Sequence, residues 1–216
     1  MTNNKDNTKE QLLLAALRLF ADQGLDAVSM RNINQSAGAK NASAAHYHFG
    51  SKMGVVTAIF DYVASQLAPA QEVAINRLIE LEQAGELSVR EVLRSAYMPQ
   101  LSLYTNPRIG RDGIKFWARL RFDQKLEILE LENEYSREFV SLIDGYLQRV
   151  LPELSVKLLR TRLLFCFVNL LHGLANLELM AITPFGDLRA DSPEKLVEHF
   201  LDYTSAGISA PVNLED

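Results

Sequence analysis

The segment from Val28 to Lys52 constrains the fold most, because it predicts two short helices joined by a tight turn. Its sequence is VSMRNINQSAGAKNASAAHYHFGSK. Ser29 is a candidate N-cap, since its hydroxyl can accept from the first backbone amides of the helix that follows. Gly38 supplies the positive φ that a turn between helices needs. The first helix has its apolar residues at helical spacing: Met30, Ile33 and Ala37.

The second short helix, expected over about Asn41–His46, has a small apolar side and a polar side. The apolar side consists of alanines, namely Ala42, Ala44 and Ala45. The polar side carries hydrogen-bonding groups: Lys40, Asn41, Ser43 and His46. Such a helix suits the DNA major groove, which is about 12 Å wide. The segment is therefore predicted to be a helix-turn-helix that binds DNA.

These residues resemble the N-terminal domain of TetR-type transcriptional regulators. The resemblance covers about residues 8–60: an apolar helix, Gly24, then S-M-R-N-I, A-G and the diagnostic Y-H-F-G-S-K of residues 47–52. One departure lies between Gly38 and Phe49, where the chain carries one residue more than the commonest family spacing. The position three before Phe49, usually tyrosine in the family, is His46 here. The resemblance implies a homodimer whose affinity for operator DNA is lowered by a small-molecule effector.

Charge is distributed in a way that permits DNA binding at one end. The net charge is −5, but residues 1–53 hold six basic and four acidic residues. No acidic residue occurs between Ser29 and Lys52. A phosphate responds to local charge, because interactions beyond about 10 Å are largely screened at ordinary salt. The acidic remainder disfavours wrapping of DNA around the whole molecule.

Composition points to a soluble cytoplasmic protein. The 216 residues suffice for one large or two small domains. No run of about 18 apolar residues occurs, and the polar start is not a secretory signal, so no membrane partner is expected. The single cysteine, Cys166, lies in the apolar run LLFCFV and is expected to be buried rather than to act as a redox sensor.

The rest of the chain is also expected to be helical, because no alternating β-branched pattern occurs. A first helix is predicted from Thr8, as part of a capping box, to a C-terminal stop at Gly24. A later helix is predicted from the N-cap Ser51 to a stop at Pro69. The further predicted helices are 71–83, 88–104, 108–122, 124–151, 155–182 and 192–206.

The predicted helix 155–182 is apolar nearly all round, so it cannot face water on a wide side. Burial in one core and pairing across a two-fold dimer are both open explanations. The resemblance favours the dimer, with Gly173 and Ala175 allowing close approach.

Catalytic and metal sites are not expected. His46 and His48 are two residues apart on a helix and point in different directions, and no metal-ligand spacing follows. No nucleophile elbow, phosphate loop or HExxH pattern occurs. His172 is either a core histidine or part of a ligand pocket.

The segment PRIGRDGIKFWARLRF has a basic stripe beside aromatic residues. Arg108, Arg111, Lys115 and Arg119 recur at three- or four-residue intervals. One explanation is a solvated charged face over an aromatic core. The alternative is a pocket wall for an effector that is apolar or has an anionic end. The candidate pocket residues are Phe116, Trp117, Arg119, Phe122, Phe165 and His172.

The sequence thus predicts an all-α regulator, with a three-helix DNA-binding domain in residues 1–50 and a larger helical effector and dimerisation domain in 51–216. Lys40, Asn41, Ser43 and His46 are expected to face bases, and Arg31, Tyr47 and Lys52 to contact phosphates. The alternative function is a helical small-molecule-binding protein, or an enzyme, that no longer binds DNA. No cofactor is expected.

Overall fold

The described part of the chain is built from nine α-helices, which confirms the predicted all-α class. The computed structural model describes residues 4–123, 125–189 and 192–211, and gives the backbone alone for 4–6 and 121–123. The helices are α1 Asn4–Gln23, α2 Met30–Ser36, α3 Ala44–Phe49, α4 Lys52–Ala84, α5 Val89–Tyr104, α6 Gly110–Asp123, α7 Leu126–Val150, α8 Val156–Ala175 and α9 Pro193–Ile208. A short 3-10 helix, Leu177–Ala181, follows α8.

The chain packs into two compact units, and each combines segments that are distant in sequence. The first unit contains the described part of Met1–Gln66 together with Leu103–Tyr135. The second contains Leu67–Ser102 and the described part of Ser136–Asp216. This division by packing differs from the two consecutive domains predicted around residue 50, since α6 belongs with the N-terminal helices.

Three buried phenylalanines from three helices form the centre of the first unit. The ring of Phe116 on α6 lies 6.4 Å from that of Phe20 on α1 and 5.8 Å from that of Phe60 on α4. All three side chains are almost fully buried. Aromatic side chains bury large areas, so this cluster fixes α1 and α4 against α6.

The two ends of α1 give one wrong and one confirmed prediction. The helix begins at Asn4, so Thr8 lies inside it and is not its N-cap. The polar residues before Thr8 contain neither glycine nor proline, and nothing in them prevents an earlier start. At the other end, Gly24 has φ +82°, and its amide donates to the carbonyl of Phe20 at 2.9 Å. This αL cap ends the helix where the sequence predicted.

The predicted stop of α4 at Pro69 is wrong. The helix continues through Pro69 to Ala84, and the segment predicted as a separate helix over 71–83 is its second half. Proline removes one helical hydrogen bond, whose acceptor would be the carbonyl of Ser65. Ser65 and Pro69 are both exposed, so this loss occurs where water is available.

In the second unit, α8 and α9 approach each other closely at Gly173. A Cβ added there would stand 2.7 Å from the ring of Phe200 on α9. The small size of Gly173 therefore serves packing within one chain, and the predicted role of Gly173 and Ala175 at a dimer seam is not what the structure gives them. Ala175 is buried.

The remainder of α8 corrects one boundary and confirms one burial prediction. The helix ends at Ala175, seven residues before the predicted end, and the side-chain amide of Asn176 donates to the carbonyl of His172 at 2.9 Å. Cys166 is buried, as predicted, and burial raises the pKa of its thiol. Among the described helices, α8 is long and apolar enough to cross a membrane, judged by length and composition alone. Core helices of soluble proteins meet the same criterion.

Candidate nucleic-acid interface

The helix-turn-helix begins with a reciprocal cap, and this confirms the prediction for Ser29. The Ser29 hydroxyl accepts from the amide of Asn32 at 3.2 Å, and the side-chain oxygen of Asn32 accepts from the Ser29 amide at 2.9 Å. Two backbone donors at the start of α2 are thereby satisfied. Gly38 has φ +63°, the conformation predicted for the turn.

The start of α3 was predicted three residues too early. The helix spans Ala44–Phe49, and residues 40–43 form a turn before it. The side chain of Asn41 accepts from the amide of Ser43 at 2.9 Å, and the Asn41 carbonyl accepts from Ala44 at 3.1 Å. An asparagine that bonds its own backbone two residues on favours a turn over a helix interior, which explains the later start.

The polar side of α3 is arranged as the sequence predicted, but the alanine side is only partly so, because Ala42 lies in the turn before the helix and is exposed. Ala44 and Ala45 are buried, and α3 packs against α1 and α2. The residues predicted to face bases are all exposed, with Lys40, Asn41 and Ser43 in the turn and His46 on the helix. Tyr47 is 70% exposed, and its ring meets that of His48 edge-on at 5.1 Å.

The predicted phosphate contacts Arg31 and Lys52 lie in different settings. Arg31 is exposed on the first turn of α2. The ammonium group of Lys52 instead donates to the carbonyls of Leu25 and Val28, at 2.6 and 2.9 Å. These carbonyls belong to the loop between α1 and α2. Lys52 therefore ties the start of α4 to that loop, and at most one of its three N–H groups remains for a phosphate.

The junction between α3 and α4 is tight. Gly50 has φ +73°, and the hydroxyl of Ser51 accepts from the amide of Gly54 at 3.0 Å, so Ser51 caps α4 as predicted. A Cβ added at Gly54 would stand 2.0 Å from the carbonyl oxygen of Phe49. Only glycine at position 54 allows the first turn of α4 to lie this close to the end of α3.

The predicted effector-pocket residues do not form one cluster within either unit. Phe116, Trp117 and Arg119 belong to the first unit, whereas Phe165 and His172 belong to the second. Phe116 is part of the phenylalanine core described above. Phe165 is exposed on α8, and Phe122 lies outside the described side chains.

Trp117 lies beside an acidic group rather than a basic one. Its indole Nε1 donates to the buried carboxylate of Glu132 at 3.0 Å. The ring of Phe60 meets that of Trp117 edge-on at 5.9 Å and stacks on that of Tyr135 at 5.2 Å. The Tyr135 hydroxyl donates to Asp61, and burial followed by this bond raises the pKa of Tyr135 to about 12.

The basic stripe of α6 faces α1 within the first unit. Arg119 donates to the carbonyls of Ala21 and Asp22 at 3.3 and 3.0 Å, at the C-terminal end of α1. Cations at a helix C-terminus are favourable because they offset the negative end of the dipole. Further basic residues near this interface pair with acids of the N-terminal helix and loop: Arg108 with Glu10, Lys115 with Asp22, and Lys125 with Asp26. The stripe thus binds α6 to α1 and to the loop that follows it.

Two contributors to the site were not recognised in the sequence. Asn34 on α2 is 4% exposed and bonds both the turn and the start of α3. The available signal was a polar residue directly beside the apolar stripe of α2. Gly54 gave no signal, because a glycine in a helix is informative only when its neighbours are known. In the described residues, no group of three His, Cys, Asp or Glu side chains is placed to hold a metal.

Comparison with known proteins agrees with this architecture. Over 109 residues the chain is 34% identical to the HTH-type transcriptional dual regulator CecR of Shigella flexneri, a match that spans 49% of this chain and 48% of that regulator. It is 24% identical over 165 residues to the HTH-type transcriptional repressor AcnR of Corynebacterium efficiens, covering 67% and 82% of the two chains.

A solved structure and two family models complete the comparison. The structure of a TetR family transcription regulator from Marinobacter aquaeolei VT8 shares the fold, with a TM-score of 0.60 at 18% identity over 95% of this chain and 97% of that one. Residues 12–59 match the model of bacterial regulatory proteins of the tetR family. Residues 94–207, more than half of the chain, match the tetracyclin repressor-like C-terminal domain. The chain therefore belongs to the tetR family of bacterial regulatory proteins.

Proposed function

We propose that the protein is a transcriptional regulator that binds a specific double-stranded DNA operator through α3 and the turn before it. The observation that carries this proposal is the surface of residues 40–47, which contains no acid and exposes Lys40, Asn41, Ser43 and His46, whereas Ala44 and Ala45 are buried. A helix of this kind fits the major groove, where donors and acceptors on base edges are accessible.

The later start of α3 changes how bases would be contacted. Lys40, Asn41 and Ser43 would reach bases or the groove edge from the turn, and His46 from the helix itself. Arg31 and the exposed Tyr47 would contact phosphates, because both lie on the outer surface of the helix-turn-helix. Lys52 would act mainly by holding the loop between α1 and α2 in place.

We infer that the regulator acts as a homodimer, as the family resemblance implies. In the second unit, the exposed sides of α8 and α9 carry large apolar side chains: Leu164, Phe165 and Tyr203, of which the last two are 60% and 69% exposed. These helices pack against each other through Gly173 and Phe200. Two copies of the pair would form a four-helix seam that covers this apolar surface. Phe165 is thus assigned to the seam rather than to an effector pocket.

A small-molecule effector would control DNA affinity through α6. Three basic residues that could hold an anionic end already bind α1: Arg119 and Lys115 on α6, and Arg108 just before it. This arrangement supports a role in transmission: an effector that displaces α6 would displace α1 and the helices resting on it. Trp117 remains the proposed wall residue, beside the carboxylate of Glu132. We assign the protein to the cytoplasm, with no catalytic activity.

Fluorescence anisotropy with a labelled duplex taken from upstream of the protein's own gene tests the proposal. Selective, salt-dependent binding relative to a scrambled duplex of equal length is expected. Arg31→Ala should weaken binding to both duplexes and reduce the salt slope by about 1, whereas His46→Ala should reduce selectivity. No binding at low salt would favour a helical small-molecule-binding protein or enzyme without DNA affinity.

A further inference from the structure

Asn34 occupies an unusual place for a polar side chain, because it is buried between two helices of the DNA-binding head. It lies on α2 next to Ile33 and is 4% exposed. Both polar atoms of its side-chain amide form hydrogen bonds. Nδ2 donates to the carbonyl of Ala42 at 2.6 Å, and Oδ1 accepts from the amide of Ala45 at 2.8 Å.

The two partners of Asn34 belong to the turn and to the first turn of α3. The amide of Ala45 is one of the donors that a helix start leaves without an intrahelical partner. Ser43, at the N-cap position, makes no side-chain cap bond. Asn34 therefore supplies from another helix the acceptor that an N-cap residue ordinarily provides.

The turn that Asn34 holds is the segment between Gly38 and the start of α3. It starts after Gly38, and the amide of Ala39 donates to the backbone carbonyl of Asn34 at 3.0 Å. Asn34 thus bonds this segment through its main chain at one end and its side chain at the other. A turn loses conformational freedom on folding, and a buried amide with a fixed donor and acceptor selects one of its conformations.

We propose that Asn34 is a positioning residue that sets the orientation of α3 and of the turn, and that operator selectivity depends on it. The inference rests on the proposed DNA-binding function. Asn34 is buried and does not itself touch DNA. It acts through Lys40, Asn41 and Ser43, whose directions depend on the turn, and through His46, whose direction depends on the start of α3. Base contacts need alignment within tenths of an ångström, whereas phosphate attraction tolerates a shifted helix.

The experiment measures selectivity, as the ratio of affinities for the upstream duplex and a scrambled duplex, with full-length protein. Asn34→Ala removes both bonds and should lower affinity for the upstream duplex about tenfold, with less than about a twofold change on the scrambled one. Ile33→Val is the matched control, because it removes a methyl group from the neighbouring buried side chain and touches neither bond. It should leave the ratio unchanged.

A second measurement does not depend on DNA. Amide hydrogen exchange of Asn34→Ala should show faster exchange at Ala45 and across residues 39–43, with α1 protected as in the wild type. If Asn34→Ala does not fold, Asn34→Asp takes its place, since it keeps an acceptor for Ala45 and replaces the donor to Ala42 with a carboxylate oxygen that repels that carbonyl. In Asn34→Asp, amide hydrogen exchange should then be faster across residues 39–43 and unchanged at Ala45.

Three results would overturn the inference: unchanged selectivity in a folded Asn34 variant, an equal loss on both duplexes, or unchanged exchange at Ala45 in Asn34→Ala. Failure of the proposed function is distinguishable, because the wild-type protein itself would then lack selectivity. In that case the exchange data alone decide whether Asn34 positions α3.

Discussion

Two glycines inside helices should respond in opposite directions to the same substitution. Gly54 lies in the first turn of α4, and Gly145 lies within α7. A Cβ at position 54 would meet the Phe49 carbonyl oxygen at 2.0 Å, whereas one at position 145 would meet no atom within 4 Å. Gly54→Ala should therefore destabilise the fold and Gly145→Ala should stabilise it.

The magnitudes follow from these surroundings. At position 54 the oxygen must withdraw by roughly 1.4 Å, from 2.0 Å to an ordinary contact of 3.4 Å. That oxygen also accepts from the amide of Ser51 at 2.8 Å, so the shift disturbs the cap of α4. Overpacking costs about 1–3 kcal/mol and a lost cap about 1 kcal/mol, against a helix-propensity gain of at most about 1 kcal/mol. The net loss is about 2 kcal/mol, while Gly145→Ala gains about 0.5–1 kcal/mol.

Thermal unfolding followed by circular dichroism measures both changes, at one protein concentration because the stability of the proposed dimer would depend on concentration. For a chain of this size the midpoint should fall by roughly 4–8 °C in Gly54→Ala and rise by roughly 1–4 °C in Gly145→Ala. DNA affinity should fall only in Gly54→Ala. Equal stabilisation by the two alanines would refute the close approach of α3 and α4 on which the reasoning depends.

Three further predictions concern the seam, the α6 contact and a titrating tyrosine. Phe165→Glu should convert the proposed dimer to monomer in analytical ultracentrifugation, whereas Val73→Glu, at a comparably exposed position on α4, should not. Arg119→Ala removes the bonds to the end of α1 and should destabilise the fold by about 1 kcal/mol in chemical denaturation, with weaker operator binding. The raised pKa of Tyr135 favours its neutral form in the folded state, so its stabilising effect is complete below pH 10 and is lost as the pH rises from 10 to about 12. Ultraviolet titration of the wild type should show a tyrosine that ionises near pH 12. This ionisation should be absent in Tyr135→Phe.

Structural features that depend on only a few neighbouring residues could be predicted from the sequence. The caps Ser29 and Ser51 and the stop at Gly24 are where the sequence places them, because a cap depends on the residue itself and on the backbone beside it. Where two local preferences compete, the sequence was insufficient. Asn41 formed a turn instead of starting a helix, and Pro69 did not end one.

The functions of individual side chains depended on partners distant in sequence. Lys52 was expected at a phosphate because it is basic and near a helix start, but its partners are carbonyls 27 and 24 residues earlier. Arg119 was expected in a pocket and instead binds carbonyls 98 and 97 residues earlier. Both lysine and arginine donate to any acceptor within reach, so composition and spacing alone do not determine their role.

The contact between Gly173 and Phe200 has a consequence for how the protein tolerates mutation. In the proposed two-fold dimer residue 173 would occur twice, so a larger residue there would push both α9 helices outward at once. The steric strain at residue 173 would arise in both copies, and the α8–α9 surfaces that form the proposed seam would change shape together. A smaller side chain at position 200 would relieve the contact in both copies. We therefore expect substitutions that enlarge residue 173 to be tolerated together with ones that shorten residue 200.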